Sequence, residues 1–428
     1  MHIGYLAAAL AALSTTCNAW GAAGHEIVAT LAEIHLLPAV AAYLRSPEAA
    51  LLPPYAQGHL APIASWADAI RGVPEFRGWS GPLHYTGWEG DHPPEVCAWP
   101  KDEAEGEVEG EHGHWNSEHD VLHALANYTS RLETDPTDWV SLRFLVHFLG
   151  DVHQPLHLTS RERGGNGDPV LWEGRRTNMH SLWDGLLIAR ALREMRNYTE
   201  PLPSRQIEDA LAGRIYDPYI RLLLWEGVRS WWRDSLPTWL SCSRQSSDDK
   251  DDFTSGSFFT PSAGLDQLTF RAEADGSSSR KAVICPFAWA SETHRTTCAL
   301  GFPANYDDEL LHNEGTVLLE ELREDAGSST MTGRLLEVGG QSPFYLKIRT
   351  RYITLGERNT NRPAPPYTDT KAVERLLVQA GLRLAATLNL ILAPVADKAG
   401  FVSTSAEQER IGNGAYFGWL VEAEGVAA

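Results

Sequence analysis

Residues 144–190 read FLVHFLGDVHQPLHLTSRERGGNGDPVLWEGRRTNMHSLWDGLLIAR. His147 and Asp151 stand four apart in an apolar context, which predicts one helix with both side chains on the same face, a turn apart. Pro155 closes that helix, and His157 follows six residues after Asp151. His180 and Asp184 repeat the four-residue spacing at the opening of the next helix. Five groups that take borderline divalent metals thus fall within 38 residues, and without a cation so many buried ionisable side chains would lack partners. Imidazole and carboxylate with no thiolate suit zinc ahead of manganese or iron. His153, two positions past Asp151, points elsewhere and reads as a supporting or surface group.

Outward from this stretch, the chain of 428 residues is long enough for one large domain or two ordinary ones. Residues 1–19, MHIGYLAAALAALSTTCNA, form an apolar run of secretory length with small residues at the two positions a signal peptidase reads. Cleavage after Ala19 would make Trp20 the new N-terminus. No other stretch reaches the roughly 18 uncharged apolar residues of a membrane span, so an exported, soluble, secreted protein is expected. Cleavage leaves Cys97, Cys242, Cys285 and Cys298, which read as two disulfides with three possible pairings. Asn127 and Asn197 head N-x-T glycosylation sequons, in keeping with that compartment. The net charge of −20 disfavours broad wrapping of nucleic acid, which depends on Lys and Arg. It leaves room for a small phosphate-directed site whose ions supply positive charge locally.

Helical periodicity covers 25–36, with Ile27, Val28, Leu31 and Ile34 on one face. His25-Glu26 resembles the start of a metalloprotease helix, but Ala29 stands where the second His is required, and that reading fails. Ser65–Arg71 looks like part of a helix, and Leu83-His84-Tyr85 reads as extended. Helices are expected over 119–132, 139–150, 217–236 and 288–298, with Trp225, Trp231, Trp232 and Trp239 as core. Val170-Leu171-Trp172 suggests a short hairpin. Residues 371–392 form a strong amphipathic helix. Residues 101–114, 243–282 and 303–370 read as surface insertions, and 397–428 as a loosely held tail.

These pieces together resemble the zinc-dependent single-strand nuclease family of the nuclease S-one and nuclease P-one type, which shares its helical fold with zinc phospholipase C. The resemblance rests on WGAAGH (20–25), WADAIR (66–71), His84-Tyr85, HFLGDVHQPLH (147–157), GGN (164–166) and NMHSLWD (178–184), all in family order. It covers about residues 20–300 and the 371–392 helix. It implies a mainly α, single-domain fold over 20–396 with a short β-hairpin and long surface loops, and a monomer without an obligatory protein partner. It also implies three zinc ions. The free amine and carbonyl of Trp20, with His25, would hold one, and Asp68, His84 and His147 a second. Asp151 would bridge these two, and His157, His180 and Asp184 would hold the third.

The activity implied is endonucleolytic hydrolysis of single-stranded DNA and RNA to 5′-mononucleotides, with 3′-nucleotidase activity, by a water activated between two zincs that share Asp151. Arg71 matches a position that meets developing charge in the transition state. Tyr85 matches the base-stacking aromatic and Asn166 the Asn beside it. There are departures. Gly87 stands where the family commonly has an acid that reads the base edge, and Arg163 replaces an apolar residue before Gly-Gly-Asn. Cys97 alone remains of a close cysteine pair, so the pairings expected are Cys97–Cys298 and Cys242–Cys285. The rivals are a zinc phospholipase C-like phosphodiesterase, disfavoured by Asp184 where that branch has Glu, and a secreted zinc-binding effector without turnover.

Overall fold

Apolar spacing and a few well-placed caps decide where the helices start. α1 (Ala22–Ile34) begins directly after Gly21 and buries the four apolar positions its spacing singles out. α2 (Trp66–Ile70) is a single short segment carrying Asp68. The chain then makes a tight 3-10 turn over Gly81–His84 and becomes extended only at Tyr85. Leu83 and His84 are therefore in a turn, not a strand; Pro82, at the head of that turn, has the fixed φ that favours it.

Asp120 caps α3 (Val121–Thr134) by accepting the Leu122 and His123 amides, both at 3.0 Å. Asp138 does the same for α4 (Trp139–Asp151) at Val140 and Ser141. Every residue of α4 from Phe144 to Asp151 is buried, so the two metal-type side chains are delivered into the interior. A two-stranded antiparallel hairpin, β1 (Pro169–Trp172) and β2 (Arg175–Asn178), pairs Val170 with Thr177. Leu336–Glu337 adds a short parallel neighbour to β1. Asn178 caps the next helical run through the Ser181 amide, 2.7 Å away; that run continues into α5 (Leu187–Met195).

The structure, a computed structural model, describes residues 20–100, 116–117, 119–172, 175–195, 197–200, 204–211, 213–241, 284–302, 336–337, 371–412 and 414–420. The expected leader and the 101–114 and 243–282 insertions lie outside the described residues, as does nearly all of 303–370. α6 (Asp217–Leu222) runs on in helical turns to Trp231. Trp232 and Trp239 are buried in the core, and Trp225 and Trp231 pack against it. Cys298, just beyond α7 (Pro286–Thr296), is joined to Cys97 across 201 residues of sequence. Cys285 is also disulfide-bonded, while Cys242, its expected partner, lies outside the described residues.

α8 (Ala372–Lys398) is the central helix, packed against α1 and α4. The expectation of an amphipathic helix is corrected here, because nearly every position from Ala372 to Asn389 is buried. By length and composition α8 could cross a membrane, but 89% of its most apolar window is buried inside the protein, which marks a core helix. Gly381 permits the close contact with α1, since a Cβ there would lie 2.5 Å from that of Leu31. The expectation of a loose tail is corrected too. Ile411–Gly412 and Ala415–Tyr416 pair as a hairpin, and Ala415, Tyr416 and Trp419 are buried. The Tyr416 amide donates to His35 O (2.9 Å), Asn389 Nδ2 donates to His35 O and Gly414 O, and Trp419 Nε1 donates to His35 Nε2 at 3.2 Å.

Candidate metal centre

Three backbone carbonyls fix three imidazoles. His147 Nδ1 lies 2.7 Å from Ala64 O, His157 Nδ1 2.6 Å from His84 O, and His180 Nδ1 2.6 Å from Gly164 O. A carbonyl only accepts, so each Nδ1 carries the hydrogen and each Nε2 is left with a lone pair. Gly164 can supply its carbonyl because it takes a left-handed φ of 68°; a Cβ there would come within 2.5 Å of Leu156 O. Gly150 has a similar role on α4, where a Cβ would lie 2.7 Å from His25 Nδ1.

The lone pairs converge on one another. His147 Nε2 lies 3.3 Å from Asp151 Oδ2 and 3.1 Å from His84 Nδ1, which is itself 3.0 Å from Asp151 Oδ2. His25 Nε2 is 3.3 Å from Asp151 Oδ1, and Asp68 reaches both His84 and His147 at 3.8 Å. Both nitrogens of His25, Nε2 of His84, Asp68 Oδ2 and Asp151 Oδ1 are buried without a hydrogen-bond partner. The His147 Nε2 lone pair thus faces the Asp68 and Asp151 carboxylates in a dry interior, where acceptors repel unless a cation stands between them. Burial, and then neighbouring imidazoles, hold His25 and His84 well below the usual histidine range, so both rings are neutral, the form that can bind a cation. Burial, and then Asp68, push Asp151 well above the usual carboxylate range. A cation would reverse that penalty.

A second group stands beside the first. His180 Nε2 is 3.2 Å from Asp184 Oδ2, the His157 and His180 rings stack at 5.2 Å, and His157 Nδ1 lies 3.9 Å from Asp151 Oδ1. Ligand-type atoms of His157, His180 and Asp184 fall within 4.8 Å of one another, as do those of His25, Asp68 and His147 and those of His84, His147 and Asp151. The donor set, nitrogen and carboxylate oxygen with no sulfur, fits zinc. Gln154 was missed by sequence reasoning. Its Nε2 donates to Asp184 Oδ1 and its Oε1 accepts the Leu156 amide, so it aims the carboxylate from the far side. The signal was its place in HQPLH, directly before the proline turn that carries His157.

Trp20 is fully buried at the head of α1 against Gly24, and the next amide, Gly21 N, donates to Asp184 O at 2.6 Å. Arg71 Nη1 donates to Asp68 Oδ1 at 3.3 Å. Tyr85 is 41% exposed directly after His84. Asn166 Nδ2 is engaged with Arg163 O (2.7 Å), and Arg163 is exposed at a left-handed φ of 58°. Position 87 has no room for a side chain, since a Cβ would lie 2.7 Å from Ser160 N; the missing acid is thus a steric matter as well as a sequence departure. His153 is neither a ligand nor on the surface: it is buried between Leu149 O and Arg383 Nη1. Asp91, His294 and Cys298 form another grouping, but the Cys298 sulfur is committed to the disulfide. Asn127 and Asn197 are both exposed.

A family model described as S1/P1 nuclease matches residues 20–260. Endonuclease 4 of Arabidopsis thaliana is 33% identical over 233 residues, which is 52% of this chain and 68% of that protein. Nuclease P1 of Penicillium citrinum is 36% identical over 169 residues, 39% of this chain and 57% of that protein. Nuclease S1 of Aspergillus oryzae is 32% identical over 182 residues, 42% of this chain and 58% of that protein.

Proposed function

The chain belongs to the S1/P1 nuclease family and is a hydrolase acting on nucleic acid, and on that premise we propose that it is a secreted, zinc-dependent endonuclease for single-stranded DNA and RNA. The products are 5′-mononucleotides, with 3′-nucleotidase activity as a second reaction of the same site. The observation that carries this reading is the convergence of buried histidine nitrogens and aspartate oxygens, several of them without a hydrogen-bond partner, on one another.

Three zinc ions fit the donor set. The Trp20 amine and carbonyl, with His25, would hold one, Asp68, His84 and His147 a second, with Asp151 between them, and His157, His180 and Asp184 the third. Bound there, zinc supplies the Lewis acidity that acidifies a water and neutralises phosphate charge. The amine of Trp20 becomes available only if the leader is removed after Ala19, so export and assembly of the site are one event. Exposed sequons and the Cys97–Cys298 bond accord with a secreted chain. The nuclease domain is taken to run from residue 20 through the docked tail.

The chain's own groups do the rest. Ala64, His84 and Gly164 carbonyls lock the imidazole tautomers, and Gln154 holds Asp184. Arg71, tethered to Asp68, places a permanent positive charge at the edge of the cluster for the pentavalent phosphate. Tyr85, 41% exposed, would stack an unpaired base, with Arg163 and Asn166 as the further substrate-binding residues. With the ligand-type side chains at most about a tenth exposed, a duplex is too wide to seat its phosphodiester on them. Hydrolysis rates on denatured DNA, duplex DNA and phosphatidylcholine test the reading. Denatured DNA should be cleaved far faster than duplex. Lipid turnover without DNA turnover, or bound zinc with no phosphoester turnover, would overturn it.

A further inference from the structure

α4 carries more than metal-type residues. Trp139, Arg143, His147 and Asp151 follow one another at four-residue intervals, so Arg143 sits one helical turn from His147 and Trp139 one turn beyond that. Around them lies an aromatic cluster rooted in the core. Trp66 meets Phe144 at 5.2 Å, Phe76 at 5.5 Å and Trp139 at 5.8 Å, and Phe76 meets Trp79 at 5.8 Å. Phe144 is fully buried, but the outer rings open to solvent: Trp79 is 45% and Trp139 41% exposed. Trp79 belongs to the segment that joins Asp68 and Arg71 to His84, so cluster and metal centre share a stretch of chain.

Arg143 sets this patch apart from core aromatics that merely reach the surface. Its guanidinium lies 4.2 Å over the Trp139 ring and 5.2 Å over Trp66, within the range of a cation–π pair. Among the described residues no carboxylate pairs with it, and its Nε has no hydrogen-bond partner. The nearby acid Asp138 is spent on its own helix cap and on Arg131 at 2.9 Å. In a chain of net charge −20, a cation without a carboxylate partner among the described residues, set over the half-exposed Trp139 and the inner Trp66, is matched to an anion threaded among flat apolar groups. A single strand, with phosphates and unpaired bases in alternation, has that chemistry.

We infer that this surface is an accessory strand-binding platform, in which Trp79 and Trp139 stack unpaired bases and Arg143 takes a phosphate of the strand whose scissile bond lies at the metal centre. The inference rests on the nuclease reading and adds a preference for longer single strands over the shortest substrates.

The test compares kcat/KM for an oligothymidylate about twenty nucleotides long, enough to fill both places, with that for thymidine dinucleotide, which reaches only the metal centre. Arg143→Met keeps the side-chain stem between the rings and removes the charge. Trp79→Ser removes a half-exposed ring and serves if the first variant does not fold. Each should lower the long-to-short ratio about tenfold. Arg143→Met should also flatten the log–log salt dependence of oligomer affinity by about 0.7. An unchanged ratio in a folded variant overturns the platform and leaves the nuclease reading standing. If the wild-type protein cleaves neither substrate, the nuclease reading falls. Affinity for a phosphorothioate oligothymidylate then decides the platform: weakened in Arg143→Met it stands, unchanged it falls.

Discussion

Asp151 is the residue on which the most neighbours depend. It faces His25, His84 and His147 within 3.3 Å, has no exposure to water, and is pushed by burial and by Asp68 toward the protonated state when no cation is present. Arg71 meets the same cluster from its edge, donating to Asp68 at 3.3 Å. The two should therefore fail differently. Asp151→Ala should lose two of three zincs and all hydrolysis, whereas Arg71→Ala should keep its metal and lose about a hundredfold in kcat. Zinc content measured beside single-turnover rates separates them, and equal metal loss in both variants would contradict the assigned roles. At this scale the sequence was informative because histidine and aspartate have few uses inside an apolar helix. Gln154 escaped because a neutral amide leaves no such trace.

Elements were legible in proportion to how local their causes are. α1, α3 and α4 follow from apolar spacing and an aspartate cap, all within a few residues of the helix itself. The turn over Gly81–His84 shows no periodicity, so its type could not be read from Leu83-His84-Tyr85. α8 carries enough polar residues to look one-sided, yet Arg383 turns inward to Glu292, His153 and Trp239 O, which lets the polar face be buried as well. The tail was misread for a related reason. Its anchor, Trp419 on His35, spans 384 residues and leaves no local pattern. Trp419→Ala should cost about 3–5 kcal/mol of unfolding free energy; a change within ~0.5 kcal/mol in denaturant melts would show that the tail carries no load.

Taken whole, the protein should be acid-sensitive for a reason outside the metal centre. His35 is fully buried, donates from Nδ1 to Leu31 O and accepts the Trp419 indole at Nε2, an arrangement only the neutral ring can make. Burial lowers its pKa from 6.5 to about 4. A depressed histidine binds a proton more readily when unfolded, so its contribution is intact above pH 6.5 and is lost as pH falls toward 4. That amounts to about 3 kcal/mol. Thermal melts from pH 7 to 4 should show the loss, and His35→Leu should flatten it; an unaltered slope would contradict this role. The fold class was legible because six short motifs stand in family order, and the pairing of Cys97 with Cys298 was legible through the same resemblance. Four cysteines alone leave three pairings open. Nine residues, from Trp20 to Asp184, are proposed to close around three cations. Zinc per chain in the purified mature protein tests that most directly: three bound ions are predicted, and one or none would contradict it.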